Sequence, residues 1–419
     1  MRFLRKFLGG IKGDEGGNAL ALGAITLPMV IGAAGLGLDT VQWTLTQRQL
    51  QRAADSAAIA GAYARLQNAN ISASANQSLT RDGLTGFTIA PVIENAPTAG
   101  AYSGDGNAVR VVLRRQQALP FSSLFMGTGP TIFADATAKA MSNGNFCVIA
   151  LESTATTGIT MQGNATVNLG CGMATNSQAS NAVIGGGSSL ITASPLAAVG
   201  GITPSNNFAP GTELLPGSIA QADPYSGLPQ PNPTNCGAQL RVGSNRTDNV
   251  NNPTGTRCFR GIDIQGRAHF DPGIYVVDGA FSVGAQATVT GTGVTFILTS
   301  STASTNPSSI EQVTINGGAT MQLSAPTTGT YAGILFYQDR RAINADGNRI
   351  NGNSSSFFQG AFYFPSQGMD FNGTTGLRTE CVQIAARRVT FIGNSTITNV
   401  CPPNSRAGAF SGLRVFLVE

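Results

Sequence analysis

A nine-residue pattern recurs along the C-terminal part of the chain and restricts the folds which that part can adopt. The consensus reads apolar, Thr or Ser, apolar, any residue, Gly, any residue, a small residue, Thr, apolar. Two short strands with alternating apolar and polar side chains, joined at a tight corner, produce such a pattern. Clear copies begin at Ile159, Val313 and Val389, and looser copies centre on Ala285, Gly352 and Gly373.

The spacing of the copies predicts that these strand pairs are stacked. Gly352 and Gly373 are 21 residues apart, and Gly373 and Gly393 are 20 residues apart. A right-handed parallel β-helix has rungs of about this length, stacked about 4.8 Å apart. We therefore predict a mainly β fold in which residues 146–419 form a Gly-, Asn- and Thr-rich β-helix, with a β-sandwich as the alternative. The Pro-, Asn- and Gly-rich residues 203–262 are expected to leave the coil as a long loop.

The N-terminal region contains a stretch without charge that predicts a membrane anchor. Residues 16–38 hold no charged side chain, and about 20 apolar residues are enough to cross a bilayer core as a helix. A cleaved signal peptide, the competing interpretation, has a shorter apolar region of about 7–15 residues. We predict a retained single transmembrane helix over residues 16–38.

The distribution of charge predicts the topology. Of the 25 basic residues, four lie among the first twelve, so the rest of the chain holds 21 basic and 21 acidic residues. The positive-inside rule then keeps residues 1–15 in the cytoplasm and places the bulk of the chain beyond the membrane. A neutral bulk also argues against nucleic-acid binding, which needs clustered basic residues. The topology signal consists of Arg2, Arg5, Lys6 and Lys12.

Two further segments connect the anchor to the coil. Residues 39–66 have helical periodicity with an alanine-rich face, which predicts a stalk helix that packs on its own domain or, alternatively, on a second copy of the chain. Residues 67–145 read as a small α/β module with strands at 108–113 and 131–138 and a short helix near 119–126. Nothing in this module suggests chemistry.

The six cysteines predict disulfides between neighbouring rungs. An even number of cysteines in an exported domain favours disulfides, and stacked rungs bring Cα atoms close to the roughly 4.4–6.8 Å that a disulfide requires. The separations are 24, 22 and 20 residues in the sequential pairs Cys147–Cys171, Cys236–Cys258 and Cys381–Cys401.

The order of motifs in the N-terminal region resembles that of a known family. Gly16-Gly17-Asn18, an Ala/Gly/Leu span, Gly37-Leu38-Asp39 and the run from Gln49 to Ala58 are similar to the start of TadG-like (TadE/TadG-type) proteins of the bacterial tight-adherence, or Flp, pilus-assembly system. The resemblance covers residues 10–66. It implies a single-pass inner-membrane protein with a periplasmic bulk. Gly10 and Glu15 have the spacing of a prepilin cleavage site, but Gly16 replaces the usual aromatic residue, and such processing is not expected.

Candidate chemistry in the coil is sparse, and we predict that the protein is not an enzyme. Polysaccharide lyases and hydrolases of this fold need clustered acidic or basic side chains. The best charged patch is Asp339-Arg340-Arg341 with Asp370, and we expect Asp339 to pair with Arg340 at a strand end. His269 is expected in a turn. The run Glu152-Ser153-Thr154 departs from the metal-binding Asp-x-Ser-x-Ser of some TadG-like proteins, so no metal, cofactor or catalytic residue is predicted.

These observations favour a structural function. The leading hypothesis is a membrane-anchored periplasmic component of Tad/Flp pilus assembly that presents an elongated β-helix to other pilus-assembly proteins. The alternatives are a surface adhesin or glycan-binding β-helix and, third, a polysaccharide lyase or hydrolase. The expected partners are the inner membrane and other assembly proteins, and a homo-oligomer through the stalk helix is left open.

Overall fold

The described part of the chain forms two compact units. The computed structural model describes residues 17–85, 87, 89–373, 378–393, 396–398 and 410–419. The first unit holds the described residues up to Met141 together with Val415–Glu419, and the second is Ser142–Arg414.

The first unit is built on one uninterrupted helix. This helix, α1 (Gly17–Leu66), covers both the predicted transmembrane helix and the predicted stalk helix. Its Ala and Leu residues have high helix propensity, and its one proline, Pro28, lies in the apolar half. A shorter helix, α2 (Ile71–Arg81), begins after Asn70, whose side-chain oxygen accepts a hydrogen bond from the N–H of Ala73.

Three antiparallel strands lie beside these helices, and the third of them continues into the second unit. They are β1 (Val92–Asn95), β2 (Ala108–Gln116) and β3 (Thr131–Ala150), and a 3-10 turn, Ser122–Leu124, lies in the loop between β2 and β3. The alanine-rich face of α1 packs on the apolar face of β2 and β3. This face is therefore occupied within the chain. Its buried residues are Leu50, Ala53, Ala54, Ala57, Ala58 and Ala62.

The second unit consists almost entirely of short strands. In chain order the first of them are β4 (Ile159–Met161), β5 (Thr166–Asn168), β6 (Gly172–Thr175), β7 (Val183–Gly185), β8 (Leu190–Thr192), β9 (Leu196–Ala198), β10 (Leu214–Pro216), β11 (Leu240–Val242), β12 (Thr247–Val250), β13 (Thr256–Phe259), β14 (Ile262–Ile264), β15 (Arg267–Phe270) and β16 (Gly273–Asp278). The remainder are β17 (Phe281–Val283), β18 (Thr288–Thr292), β19 (Val294–Thr299), β20 (Val313–Ile315), β21 (Thr320–Ser324), β22 (Ile334–Gln338), β23 (Asn348–Gly352), β24 (Phe357–Gly373), β25 (Arg378–Gly393), β26 (Thr396–Thr398) and β27 (Phe410–Leu417), with a 3-10 turn at Pro307–Ser309.

Parallel pairing winds these strands into a coil of about 11 turns. Successive strands pass to three sheets in rotation, so β14, β15 and β16 pair with β17, β18 and β19 one turn later. The coil comprises the end of β3 and strands β4–β26. The prediction of a mainly β, parallel coil is confirmed, and the sandwich alternative is wrong because its sheets would be antiparallel.

The turns are not stacked in the order in which the chain forms them. Residues 148–150, at the end of β3, pair with β6, and from there the stack continues through β9 to β10. The next strand, β11, pairs with β14, and the stack continues from it through β25. Strand β25 then pairs with both β3 and β4. The coil is thus formed in two runs, and the end of the second run stacks on the start of the first.

Residues 217–236 connect these two runs along one side of the coil. We expected all of residues 203–262 to form an excursion, and this prediction is wrong at both ends. Strand β10 lies before the connection, and β11, β12 and β13 follow it as stacked strands of the coil. Their Pro, Asn and Gly residues occupy the corners between very short strands.

Glycine corners explain why the sequence repeat keeps a fixed phase. Gly163 and Gly187 both have positive φ, at 75° and 64°, a region that side chains other than glycine rarely adopt. A Cβ atom at Gly187 would lie 2.6 Å from the carbonyl oxygen of Gly163, and one at Gly163 would lie 3.4 Å from that of Gly393. Successive corners therefore stack backbone on backbone.

The third sheet, to which β16, β19 and β22 belong, is buried on both of its faces at β19 and β22. We expected inward apolar and outward polar residues along every strand, yet all six residues of β19 and all five of β22 are buried. Outward-facing Tyr337 and Tyr363 are fully buried because Tyr225 and Leu228 of the connection pack over this sheet. The alternation of apolar and polar side chains is therefore lost where the connection covers the coil.

Two of the predicted disulfides are present. Cys147 and Cys171 are bonded with their Cα atoms 5.8 Å apart, and Cys236 and Cys258 with theirs 4.6 Å apart. Each bond joins neighbouring turns. The third predicted pair includes Cys401, which lies outside the described residues.

Candidate functional site

The best charged patch predicted from the sequence is a structural ion pair. Asp339 follows β22 and its side chain is fully buried. It pairs with Arg341, at 2.6 Å, and not with Arg340 as predicted, and the hydroxyl of Thr299 donates a second hydrogen bond at 2.8 Å. Arg341 also donates to the carbonyl oxygen of Pro231. The buried carboxylate therefore joins the coil to the connection.

Arg340 fastens the same connection at a second point. Its guanidinium donates to the carbonyl oxygens of Tyr225 and Leu228 and to the hydroxyl of Tyr363. That hydroxyl in turn donates to Asp223 at 2.7 Å. Burial, followed by the acceptor role of Asp223, raises the pKa of Tyr363 above its ordinary value. These hydrogen bonds link the connection to the coil.

Glu152 is the second buried acid and has three hydrogen-bond partners. Burial alone would raise its pKa, but hydrogen bonds from Thr154, Arg387 and Arg388 outweigh that effect and hold the pKa at about 2. The guanidinium groups of Arg387 and Arg388 lie 2.9 and 2.7 Å from its Oε2 atom. The ionised Glu152 carboxylate thus joins the start of the coil to the two arginines of β25.

The other sequence candidates are dispersed. Burial raises the pKa of Asp370, which lies in β24, and the charge of Arg349 opposes this rise. His269 lies in strand β15 and not in a turn, and its Nδ1 atom is 2.8 Å from the hydroxyl of Thr290 on the next turn. Among the described residues, no three His, Cys, Asp or Glu side chains are grouped as a metal would require.

The first unit carries the most unusual surface of the described chain. Helix α1 is long and apolar enough, over Gly23–Leu66, to cross a membrane. Its large apolar side chains are exposed up to residue 45 and buried from Leu50 onward, where the helix meets the sheet. The exposed residues are Ile25, Leu27, Met29, Val30, Ile31, Leu36, Leu38, Val41, Trp43 and Leu45. Water is an unfavourable solvent for such a surface.

A buried carboxylate lies within this exposed half. Asp39 is only 4% exposed, and it accepts hydrogen bonds from the N–H groups of Phe121 and Ser122 at 2.9 and 2.6 Å, and from the hydroxyl of Ser122. The Phe121 ring lies directly against Gly35, where any side chain would overlap it. The loop between β2 and β3 is thus fixed to α1 at two successive helical turns.

The comparison with known families identifies this helix. Residues 17–67 match the model of a family described as putative Flp pilus-assembly TadE/G-like. These residues, which are similar to that family, are called the TadE/G-like segment. The resemblance drawn from residues 10–66 is confirmed over this range. The chain has no significant match among curated proteins or solved structures.

The structure gives physical roles to the motifs of the TadE/G-like segment. Asp39, the last residue of Gly37-Leu38-Asp39, holds the loop between β2 and β3. Gln51 donates hydrogen bonds to Asp55 and to the carbonyl oxygen of Asp135 in β3, both at 2.8 Å. The alanines of the run from Gln49 to Ala58 allow α1 to pack closely on the sheet.

The sequence analysis missed the structural roles of several of these residues. Asp39 had a detectable signal, because it is the only charged residue between positions 16 and 47. Glu152 and Arg387 had none, since 235 positions separate them. The predicted topology signal, Arg2, Arg5, Lys6 and Lys12, and the Gly10–Glu15 spacing lie outside the described residues and stay predictions.

Proposed function

We propose that this protein is a membrane-anchored periplasmic component of a Tad/Flp pilus-assembly system, and that its coil presents a protein-contact surface. The single observation that carries the proposal is the TadE/G-like segment, whose helix has exposed apolar side chains along its first half and a packed alanine face along its second. Such a helix suits a lipid environment at one end and a folded domain at the other.

The surface of the coil supports a structural function. Its third sheet is covered by the connection. The outward-facing rows of side chains on the other two sheets are therefore available to bind a partner. These rows are rich in Ser, Thr and Asn, for example Thr288, Thr290 and Ser282. Short hydroxyl and amide side chains on a rigid parallel ladder can form many hydrogen bonds at small conformational cost.

The proposal assigns no reaction to the coil. Asp339 and Glu152 are fully buried, and arginines occupy their oxygens. We expect the purified full chain to leave acidic polysaccharides intact, with no new reducing ends and no rise in absorbance from unsaturated products. Depolymerisation that is abolished by Asp370→Asn would contradict this part of the proposal.

A genetic experiment separates pilus assembly from adhesion. Deletion of the gene in its own host is expected to abolish surface pili in electron micrographs, and the full chain supplied in trans is expected to restore them. An Asp39→Ala variant is expected to restore fewer pili, whereas the matched Asp82→Ala variant, at an exposed acid after α2, is expected to restore them fully. Normal pili in the deletion strain with loss of surface attachment would favour the adhesin alternative and reject the proposal.

A further inference from the structure

The loop between β2 and β3 carries a second patch of exposed apolar side chains. The patch lies in the tip segment, residues 119–126, where Leu124 and Phe125 are 75% and 77% exposed and Met126 is also exposed. Isolated apolar residues on a surface are ordinary, but three consecutive large ones at the end of a loop are not.

The tip segment lies at the level of the apolar half of α1. Asp39 binds the N–H groups of Phe121 and Ser122, and Phe121 packs on Gly35. On α1, Leu36 and Leu38 are exposed on the same two turns that hold the loop. Exposed apolar side chains of the tip segment and of α1 therefore lie at the same two turns of the helix.

The backbone of the tip segment is suited to an apolar solvent. In a bilayer every N–H group must find a partner within the protein. The N–H groups of Phe121 and Ser122 donate to Asp39, and those of the next four residues donate to carbonyl oxygens inside the segment. These four bonds are Ser123 to Leu119, Leu124 to Phe121, and both Phe125 and Met126 to Ser122, all between 2.9 and 3.1 Å.

Four exposed arginines lie near the end of the sheet from which the loop with the apolar patch extends. Arg114 and Arg115 lie at the end of β2 from which the loop continues, and Arg48 and Arg52 lie on α1 beyond its apolar half. Within the described residues, no carboxylate lies within 4 Å of any of these four guanidinium groups. Unpaired arginines next to an apolar surface are typical of protein at the level of lipid headgroups.

We propose that the tip segment inserts into the outer half of the bilayer beside α1 and forms a second membrane contact of the first unit. Asp39 attaches the segment to α1, because its carboxylate accepts the hydrogen bonds of the Phe121 and Ser122 N–H groups. The side chains of Leu124, Phe125 and Met126 enter the acyl region. The contact would fix the tilt and rotation of the first unit in the membrane, which a single helix leaves free. This inference rests on the proposed membrane anchorage.

The single native tryptophan makes the inference testable with the full chain. Trp43 lies on the exposed half of α1 and reports on the anchor itself. A Trp43→Phe, Phe125→Trp variant moves the probe to the tip segment. The matched control, Trp43→Phe with Tyr102→Trp, places it in the loop between β1 and β2, at the opposite end of the β2–β3 ladder and about 30 Å away. All three proteins are reconstituted into phosphatidylcholine vesicles whose acyl chains carry bromine, a short-range quencher.

The expected result is that brominated lipid quenches Trp43 and Trp at position 125 by at least half, and that aqueous iodide quenches only Trp at position 102. If Trp43 is quenched by lipid and position 125 responds to iodide instead, the inference is wrong and the anchor stands. Position 125 protected from both quenchers would indicate that protein covers the patch, which also overturns the inference. Trp43 unaffected by brominated lipid would overturn the anchor and the inference together.

Discussion

At the residue scale, three buried carboxylates among the described residues, Asp39, Glu152 and Asp339, determine where parts of the chain are held. Asp39 fixes the tip segment to α1, and Glu152 joins the first turn of the coil to β25 through Arg387 and Arg388. Both acids lack exposure and have several donors around them. A buried carboxylate with such partners is a structural element, and its loss leaves the partners without compensation.

Replacement of Glu152 tests this role through pH. Because folding lowers the pKa of Glu152 from 4.5 to about 2, the carboxylate stabilises the folded chain above pH 4.5, and this stabilisation disappears as the pH falls toward 2. We expect Glu152→Gln to lower the free energy of unfolding of the coil by about 2–3 kcal/mol at pH 7. Denaturant titrations at pH 7 and pH 3 should show that the difference from wild type shrinks at low pH.

The matched control for Glu152 is Glu213→Gln. Glu213 pairs with Arg414 at 2.8 Å but is nearly half exposed, so its replacement is expected to cost less than about 1 kcal/mol at either pH. An equal cost for both variants would contradict the special role of the buried acid.

Asp39 makes a separate prediction about the tip segment. We expect Asp39→Ala to speed hydrogen exchange at the amides of Phe121 and Ser122 by roughly tenfold or more, because both lose a charged acceptor. Mass spectrometry of the full chain in detergent measures this. Asp82→Ala, at an exposed position, should leave the exchange rate of these amides unchanged. Slow exchange in both variants would show that Asp39 does not hold the tip segment on α1.

At the scale of elements, the repeat pattern determines local structure but does not determine which strands and connecting segments pack against each strand. Strand pairs and glycine corners such as Gly163 could be predicted because the corner requires positive φ and close backbone approach. The partner of Asp339 could not be, since two arginines follow it and only the position of the connection selects Arg341. The burial of both faces of β19 and β22 was equally hidden, because the residues that cover them lie elsewhere in the chain.

The connection over residues 217–236 offers a test at this scale. Arg340 donates to two of its carbonyl oxygens. We expect Arg340→Met to accelerate thermolysin cleavage within residues 217–236 about tenfold, since charge-assisted hydrogen bonds to the connection are lost. Arg349→Met, at an exposed position on β23, is the control. Identical cleavage rates for both variants would mean that Arg340 does not hold the connection.

At the scale of the whole molecule, the coil brings together residues that are far apart in the chain. Thr160 of β4 and Thr390 of β25 are paired in register although 230 positions separate them. The copies of the glycine-corner repeat resemble one another, so the sequence predicts a coil but carries no signal for the order of stacking. Only the observed pairing of β25 with β3 and β4 reveals that order.

A disulfide between these positions tests the stacking order. Neighbouring parallel strands lie about 4.8 Å apart, within the range that a disulfide accepts. We expect Thr160→Cys, Thr390→Cys to form a crosslink that peptide mass spectrometry detects without reduction. Thr160→Cys, Thr314→Cys combines positions whose strands are not paired and should remain uncrosslinked. A crosslink in the second variant alone would require a different order of turns.

The central proposal is that α1 anchors the chain in the inner membrane and that the coil lies beyond it, in the periplasm. The most direct measurement is the activity of alkaline phosphatase fused after Glu419, since this enzyme needs the oxidising compartment to form its disulfides. We predict an active fusion in the membrane fraction, and loss of activity when Arg2, Arg5, Lys6 and Lys12 are all replaced by glutamate. An inactive phosphatase fusion, together with active β-galactosidase at the same position, would contradict the account.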